Sequence, residues 1–226
     1  MFRKGSDNMN RRILTALILN ILVVIATTAI TVSYYFHSNN PLVETGLDSY
    51  KFFTTDSNIL AAISALVMIP YEIGILRGKR DKLPHAAVVF KFVGMVAVML
   101  TFLTVIFLLL PVYDAGFLLL GTAFHMHLAG PLAALFTFVF LETDSEITLP
   151  ESLLALLPTV IYGSVYTTEV LIIGAENGGW VDFYTLNRGG YWYVSIIMML
   201  AATYMIGFVT RLAHNKISKT RSKNNA

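Results

Sequence analysis

Long apolar runs separated by short polar connections set the pattern of this chain. The runs extend from Ile13 to Phe36, Phe53 to Tyr71, Ala86 to Leu110, Ser152 to Ile173 and Tyr191 to Arg211. A further run ends near Leu141 and begins somewhere between Gly116 and Thr122. Each is roughly 20 residues or longer, which at about 1.5 Å per residue crosses a hydrocarbon core of about 30 Å. Backbone polar groups in lipid have no water to bond, so such a run closes its N–H and C=O groups only as a helix. The pattern predicts an all-α, polytopic membrane protein with six transmembrane helices. These spans leave little else, so residues 1–226 read as a single transmembrane domain. It has a basic N-terminal stretch at residues 1–11 and a basic, loose tail at residues 215–226. No convincing internal repeat is present. The first span is longer than the apolar region of a typical signal peptide and more spans follow it, so it reads as a retained helix.

Charge gives the direction. Of the 16 Lys and Arg, thirteen fall on one side: Arg3 to Arg12 before the first span, Arg77 to Lys82 after the second, Arg211 to Lys223 at the end. Only Lys51 and Arg188 fall on the other, and Lys91 lies inside the third span. Positive charge collects on the cytoplasmic side, so both termini are expected there. The acidic loop of residues 142–151 is expected on the same side, because Asp and Glu count little in this rule. Composition then narrows the class. Hydrophobic residues are 56% of the chain and charged residues 13%, against about 25% charged in an ordinary soluble domain. This excludes a disordered chain, a basic nucleic-acid-binding protein and a water-soluble enzyme. The absence of cysteine excludes disulfides, thiolate metal sites and a cysteine nucleophile.

Most of each span is Leu, Ile, Val, Ala or Phe, and its aromatic and Met residues read as lipid contact or packing. Polar residues inside a span are costly and need a reason. The second span enters through Thr54-Thr55-Asp56-Ser57-Asn58. Thr54, Ser57 and Asn58 share a face by i, i+3, i+4 spacing, and Asp56 points elsewhere. Helix capping by Thr54 or Thr55, with Asp56 in the positive first turn, would account for this segment. The fourth span carries His125 and His127, followed by Pro131. Residues two apart on a regular helix are about 200° apart in direction, so this pair could chelate one metal ion only on an irregular backbone, and no metal site is expected. Pro131 has no N–H for the carbonyl of His127, which predicts a kink beside that histidine. The histidine either bonds a neighbouring helix or acts as a general base. In the fifth span Tyr162, Tyr166 and Glu169 share a face. The loop after it, with Trp180, Phe183 and Tyr184 among turn formers, reads as an aromatic belt or as a flap over the helix ends.

Depth discriminates two arrangements. If the fourth span begins at Gly116, His127 lies about 16 Å in while Thr54 lies only about 6 Å in. If it begins at Thr122, His127 lies about 8 Å in, and Thr54, His127 and Glu169 share one level. A hydroxyl, an imidazole and a carboxylate at one depth could serve as nucleophile, base and orienting group.

These residues carry a resemblance. Lys51-Phe52-Phe53-Thr54 resembles the Lys-Phe-Leu-Thr segment of the androgen-induced membrane protein family. His127 to Pro131 resembles that family's histidine segment, and Trp180-Val181-Asp182-Phe183 resembles its tryptophan–aromatic segment. The resemblance covers most of the chain in hydropathy and three short segments by residue. It implies a six-span hydrolase of fatty acid esters of hydroxy fatty acids, with Thr54 as nucleophile and His127 as base. Asn58, Asp56, His125, Tyr166, Glu169 and Trp180 are the candidate supporting or substrate-binding residues. The chain departs from the family in its second threonine, Thr55, and in a His-to-Pro spacing that differs by about one residue, which leaves His125 a rival to His127. The Thr-Asp-Ser-Asn stretch is similar to bacterial relatives, which implies the bacterial cytoplasmic membrane. The expected partners are membrane lipids and a lipid or fatty acyl ester substrate, with no cofactor and no nucleic acid. The alternative is a small-molecule or lipid carrier that uses the same polar cluster as a binding site, and a third reading is a scaffold whose polar cluster only packs helices.

Overall fold

The computed structural model describes residues 2–37 and 44–225, with side chains for residues 9–37 and 44–223. The side chains of Arg3 and Lys4 lie outside that set. Six helices are long and apolar enough to cross a membrane: Met9–Phe36, Phe53–Leu76, His85–Leu109, Thr122–Leu141, Leu149–Ile173 and Trp192–Lys223. They are called the first to sixth spans below. No strand occurs among the described residues. The protein is therefore all-α and polytopic, as the apolar runs predict. The fourth span begins at Thr122, and the residues ahead of it form a separate short helix, Ala115–Leu119. Asp114 caps that helix by accepting from the Gly116 N–H at 2.7 Å. Gly121, at φ 59°, makes the turn between the two, a conformation that favours glycine.

The tail differs from its expectation. Instead of loosening from Asn215, the last helix continues to Asn225. The reason is packing against the loop that follows the fourth span. The Asn215 side chain bonds both the N–H and the carbonyl of Ile147, each at 2.8 Å, and His214 bonds the carbonyls of Phe138 and Ser145. The His214 ring also stacks on Phe138 with centroids 4.2 Å apart.

Both chain ends meet at one end of the bundle. Thr143 accepts from Arg12 at 3.2 Å and from Arg221 at 2.6 Å, and Arg12 pairs with Asp144 at 2.5 Å. Asp144 also accepts from the backbone of Leu83, in the connection between the second and third spans. The acidic loop thus sits among the basic residues, on their side of the molecule. This is the basic end. The opposite end carries Lys51 and Arg188.

The third span is central, with Met95 to Thr101 all buried. The second lies close against it. A Cβ on Gly94 would stand 2.6 Å from Ser64 Oγ and 3.1 Å from the Leu60 carbonyl, so only glycine allows this approach. Ala61, Ser64 and Ala65 supply small side chains opposite, the packing that substitutes for a hydrophobic drive between helices in lipid.

Toward the basic end the first four spans enclose a polar network. Asn20 donates to Glu72 at 2.9 Å and to Glu142 at 2.7 Å, and accepts from Lys91 at 2.6 Å. Lys91 stands 3.9 Å from Glu142. Asn20, Glu72 and Glu142 are 0% exposed and Lys91 is 1% exposed. Desolvated charges of this kind are stable only while every partner is present. Removing the single cation leaves two buried carboxylates facing each other. Lys91→Met is therefore expected to lower unfolding stability by about 3–5 kcal/mol, measured by denaturation in detergent. Adding Glu142→Gln to it should restore part of that loss. Equal stability of Lys91→Met and the parent would show that the network contributes nothing.

Candidate functional site

The first span brings the chemistry to the fourth. Its buried residues recur at spacings of three and four: Ile13, Ala16, Asn20, Val23, Thr27, Thr31 and Tyr34. This is a heptad seam. Three of its polar members, Asn20, Thr27 and Tyr34, fall every seventh residue, and each bonds the fourth span or its end; the fourth member, Thr31, bonds carbonyls of its own helix. Tyr34 donates to Thr122 at 3.0 Å, Thr27 Oγ1 meets His125 Nε2 at 3.0 Å, and Asn20 donates to Glu142.

At the middle rung the second span joins. Asn58, buried, donates one amide proton to the Thr54 carbonyl at 2.8 Å and the other to the Met126 carbonyl at 2.9 Å. Thr54 is thereby held beside the histidine segment. An amide has only two such protons, so none remains for an oxyanion. The Asn58 carbonyl oxygen instead faces His125 across Gly130. A Cβ on Gly130 would stand 3.3 Å from both Asn58 Oδ1 and His125 Nε2. Glycine there keeps the two groups in one small space.

Proline acts through the turn before it. With the His127 carbonyl deprived of a donor at Pro131, residues His125–Ala129 form a π-helical turn. The two histidines diverge across this turn. His125 faces the first span. His127 turns the other way, its Nδ1 at 2.7 Å from the Leu118 carbonyl of the short preceding helix. No hydrogen bond joins either ring to Thr54 among the described residues. Thr27 is a site residue that sequence reasoning does not single out. Its signal is a seven-residue recurrence of polar positions in an apolar span.

The other side of the second span faces a different environment. The Phe53 N–H, which neither Thr54 nor Thr55 caps, donates to the hydroxyl of Tyr184 at 3.1 Å. The loop after the fifth span thus caps the second. Burial pushes the Tyr184 phenol up to about 12, so it remains a neutral hydroxyl at physiological pH. Asp182 organises this loop by accepting from Tyr166 Oη at 2.9 Å and from the N–H groups of Leu186 and Asn187, each at 2.8 Å. Tyr166 also packs edge-on against Phe183 and Trp180. Beneath the loop lies a cavity of about 410 Å³ between the second, third and fifth spans. Asp56, Ser57, Tyr162 and Trp180 line it; Thr54 and the histidines do not. Glu169 is half-buried and its carboxylate bonds nothing among the described residues. The second span therefore divides the candidate residues into two groups: Thr54, Asn58, His125 and His127 on one side, Asp56, Tyr166 and Trp180 on the other. No metal-binding group of three or more His, Asp or Glu exists among the described residues.

Fold and polar interior together define an integral membrane protein of six helices with a polar centre built inside the bundle. No protein-family model, curated protein or solved structure matches the chain.

Asp182→Ala removes three acceptor bonds at once. Hydrogen bonds to a charged group contribute about 1.5–3 kcal/mol each at most, so residues 178–190 should open well before the bundle unfolds. Limited proteolysis should cut this segment in the variant and spare it in the parent. An unchanged digestion pattern would show that other contacts hold the loop.

Proposed function

We propose that the protein is an integral membrane hydrolase of lipid esters, with its chemistry at the junction of the first, second and fourth spans. The observation that carries this reading is the 3.0 Å contact between Thr27 Oγ1 and His125 Nε2. A threonine hydroxyl is a poor nucleophile until a base within hydrogen-bond reach takes its proton, and this pair has that geometry. Thr27 also borders a second cavity, of about 190 Å³, between the first and second spans. Ile63 and Leu66 on its rim are exposed on the bundle's outer surface, so an acyl chain can enter from lipid. Thr27 Oγ1 attacks the ester carbonyl as His125 Nε2 takes the hydroxyl proton. The tetrahedral intermediate collapses, and the imidazolium returns that proton to the departing alcohol oxygen. A water then loses its proton to His125 and cleaves the acyl-threonine, restoring the free hydroxyl.

The resemblance to the androgen-induced membrane proteins supports the same class of reaction with Thr54 as nucleophile. Asn58 bonds the backbone carbonyls of both Thr54 and Met126, so the Thr54 backbone lies beside the histidine segment and the two assignments differ in the hydroxyl. Labelling of the purified protein by a fluorophosphonate, located by mass spectrometry, separates them. Thr27→Ala should abolish labelling and ester hydrolysis. His125→Ala should lower the rate by about 10²–10⁴-fold, the usual contribution of a general base. His127→Ala should leave it nearly unchanged. If Thr54→Ala is the dead variant, the nucleophile is Thr54. If both threonine variants label and turn over like the parent, the hydrolase reading is wrong.

The charge distribution supports both termini in the cytoplasm, and the resemblance of the Thr-Asp-Ser-Asn stretch to bacterial relatives supports the bacterial cytoplasmic membrane. The chain has no native cysteine, so single substitutions report orientation directly. Glu176→Cys should react with an impermeant thiol reagent in intact cells, and Ser222→Cys only after lysis. The reverse pattern would invert the topology.

A further inference from the structure

The larger cavity is not part of the hydroxyl–imidazole junction. The second span separates them, and nothing in the proposed ester chemistry uses Asp56. Yet Asp56 is the only ionisable carboxylate on the cavity wall, and its side chain makes no hydrogen bond or ion pair among the described residues. The basic residue nearest in sequence does not compensate it. Lys51 is held by Asp48 at 2.6 Å and by Glu44 at 3.5 Å, and the bond to Asp48 raises its pKa above the ordinary lysine range. The positive first turn of its helix offsets part of the cost of this partly desolvated carboxylate, and no side chain among the described residues offsets the rest.

The surroundings of Asp56 indicate what would offset that penalty. Tyr50, Phe53, Tyr162 and Trp180 place aromatic rings about the upper cavity. Rings of this kind favour a cation over their faces, and a carboxylate beside them adds charge complementarity. Below, the wall becomes aliphatic through Leu60, Val93 and Ile161. Leu157, Ile161 and Val165 are exposed on the outer surface of the fifth span, so the aliphatic part opens toward lipid. Asp56 lies in the first turn of its span, near the depth at which headgroups sit, and the aliphatic wall continues inward from it. The volume, about 410 Å³, is in the range of small-molecule sites.

We propose that this cavity is a binding site for a lipophilic cation: an amine or quaternary ammonium headgroup at Asp56, with a single alkyl chain along Leu60, Val93 and Ile161. A neutral or anionic amphiphile of the same length lacks the partner for Asp56 and binds less well. The inference stands apart from the hydrolase reading and survives its failure.

Trp180 provides the signal. In a Trp192→Phe background it is the one tryptophan of the chain. The full-length protein in nanodiscs of phosphatidylcholine is titrated with dodecylamine, dodecanol and dodecanoate while Trp180 emission is followed. Dodecylamine should saturate the change at the lowest concentration. Asp56→Asn should weaken it by about tenfold or more, and should leave dodecanol unaffected. Asp56→Glu should retain the preference for the amine, and Thr27→Ala should not alter it, since that residue belongs to the other junction. If Asp56→Asn does not fold, the amine-over-alcohol preference of the parent and of Asp56→Glu still decides. The proposal is overturned if dodecanol and dodecylamine bind alike, if Asp56→Asn keeps the amine preference, or if Trp180 responds to none of the three.

Discussion

The amide of Asn20 is the point on which four helices agree. One side chain on the first span donates to carboxylates from the second span and from the end of the fourth, and accepts from a lysine on the third. Each of these groups carries a desolvation cost that only its partners offset. A rotation or a one-turn slip of any span would strand at least one charge among apolar side chains, at a cost far above that of shifting a Leu–Leu contact. Lipid-facing residues give no comparable preference, because lipid tails are as apolar as leucine. The polar network therefore sets register, and the apolar surface conforms to it. Two carboxylate oxygens, Glu72 Oε2 and Glu142 Oε2, remain without a hydrogen-bond partner among the described residues, so even this network is not fully satisfied.

Register at the basic end fixes polar contacts seven residues away. With Asn20 set on Glu142, the seam of the first span places Thr27 on His125 and Tyr34 on Thr122. The π-helical turn ahead of Pro131 then decides which histidine meets that seam. An extra residue in a turn rotates the helix on its N-terminal side relative to the helix on its C-terminal side, by about 100° at 3.6 residues per turn. The rotation sends His125 inward and His127 to the Leu118 carbonyl. Gly130 leaves room for both His125 and Asn58 where a methyl group would intrude. Backbone irregularity and a missing side chain, rather than any added contact, shape the space at this junction.

The spans are legible in the sequence because hydropathy over some 20 residues is a local property. The start of the fourth span at Thr122 is one of two that the sequence leaves open, and the pairing of His127 with Thr54 that would favour it is not made, since His127 bonds the Leu118 carbonyl instead. Pairings between distant segments do not read through. Asn20, Glu72 and Lys91 look like three unrelated polar residues in three runs, and nothing local says they meet. Thr27 looks like a weak polar residue in a long apolar helix. Its significance appears only when the seven-residue spacing with Asn20 and Tyr34 is seen to define one face. The expectation of a loose tail fails for the same reason: Asn215 and His214 look like polar ends until the loop at residues 142–147 is known to lie against them. The cap on the second span is equally hidden, since its acceptor is Tyr184, in a loop more than a hundred residues on.

Packing is not shared evenly among the spans, and the larger cavity falls where it changes. In the most apolar stretches 39% of the second span, 56% of the third and 44% of the fourth are buried, against 11% of the fifth and 22% of the sixth. The fifth span is held to the rest by a few polar ties, among them Glu151 with His85, Thr159 with Thr203, Tyr162 with the Lys51 carbonyl, and Tyr166 with Asp182. The ties through Tyr162 and Tyr166 run to the segments that cap and cover the cavity. The polar network binds the first four spans without involving the fifth. A body held by desolvated charges thus meets a helix held by fewer and more exposed polar contacts. The cavity wall that carries Asp56 belongs to the more buried second span, and the wall that faces lipid, through Leu157, Ile161 and Val165, belongs to the less buried fifth. The larger cavity and the hydroxyl–imidazole junction therefore stand on opposite sides of the second span, each bounded by a different set of neighbours.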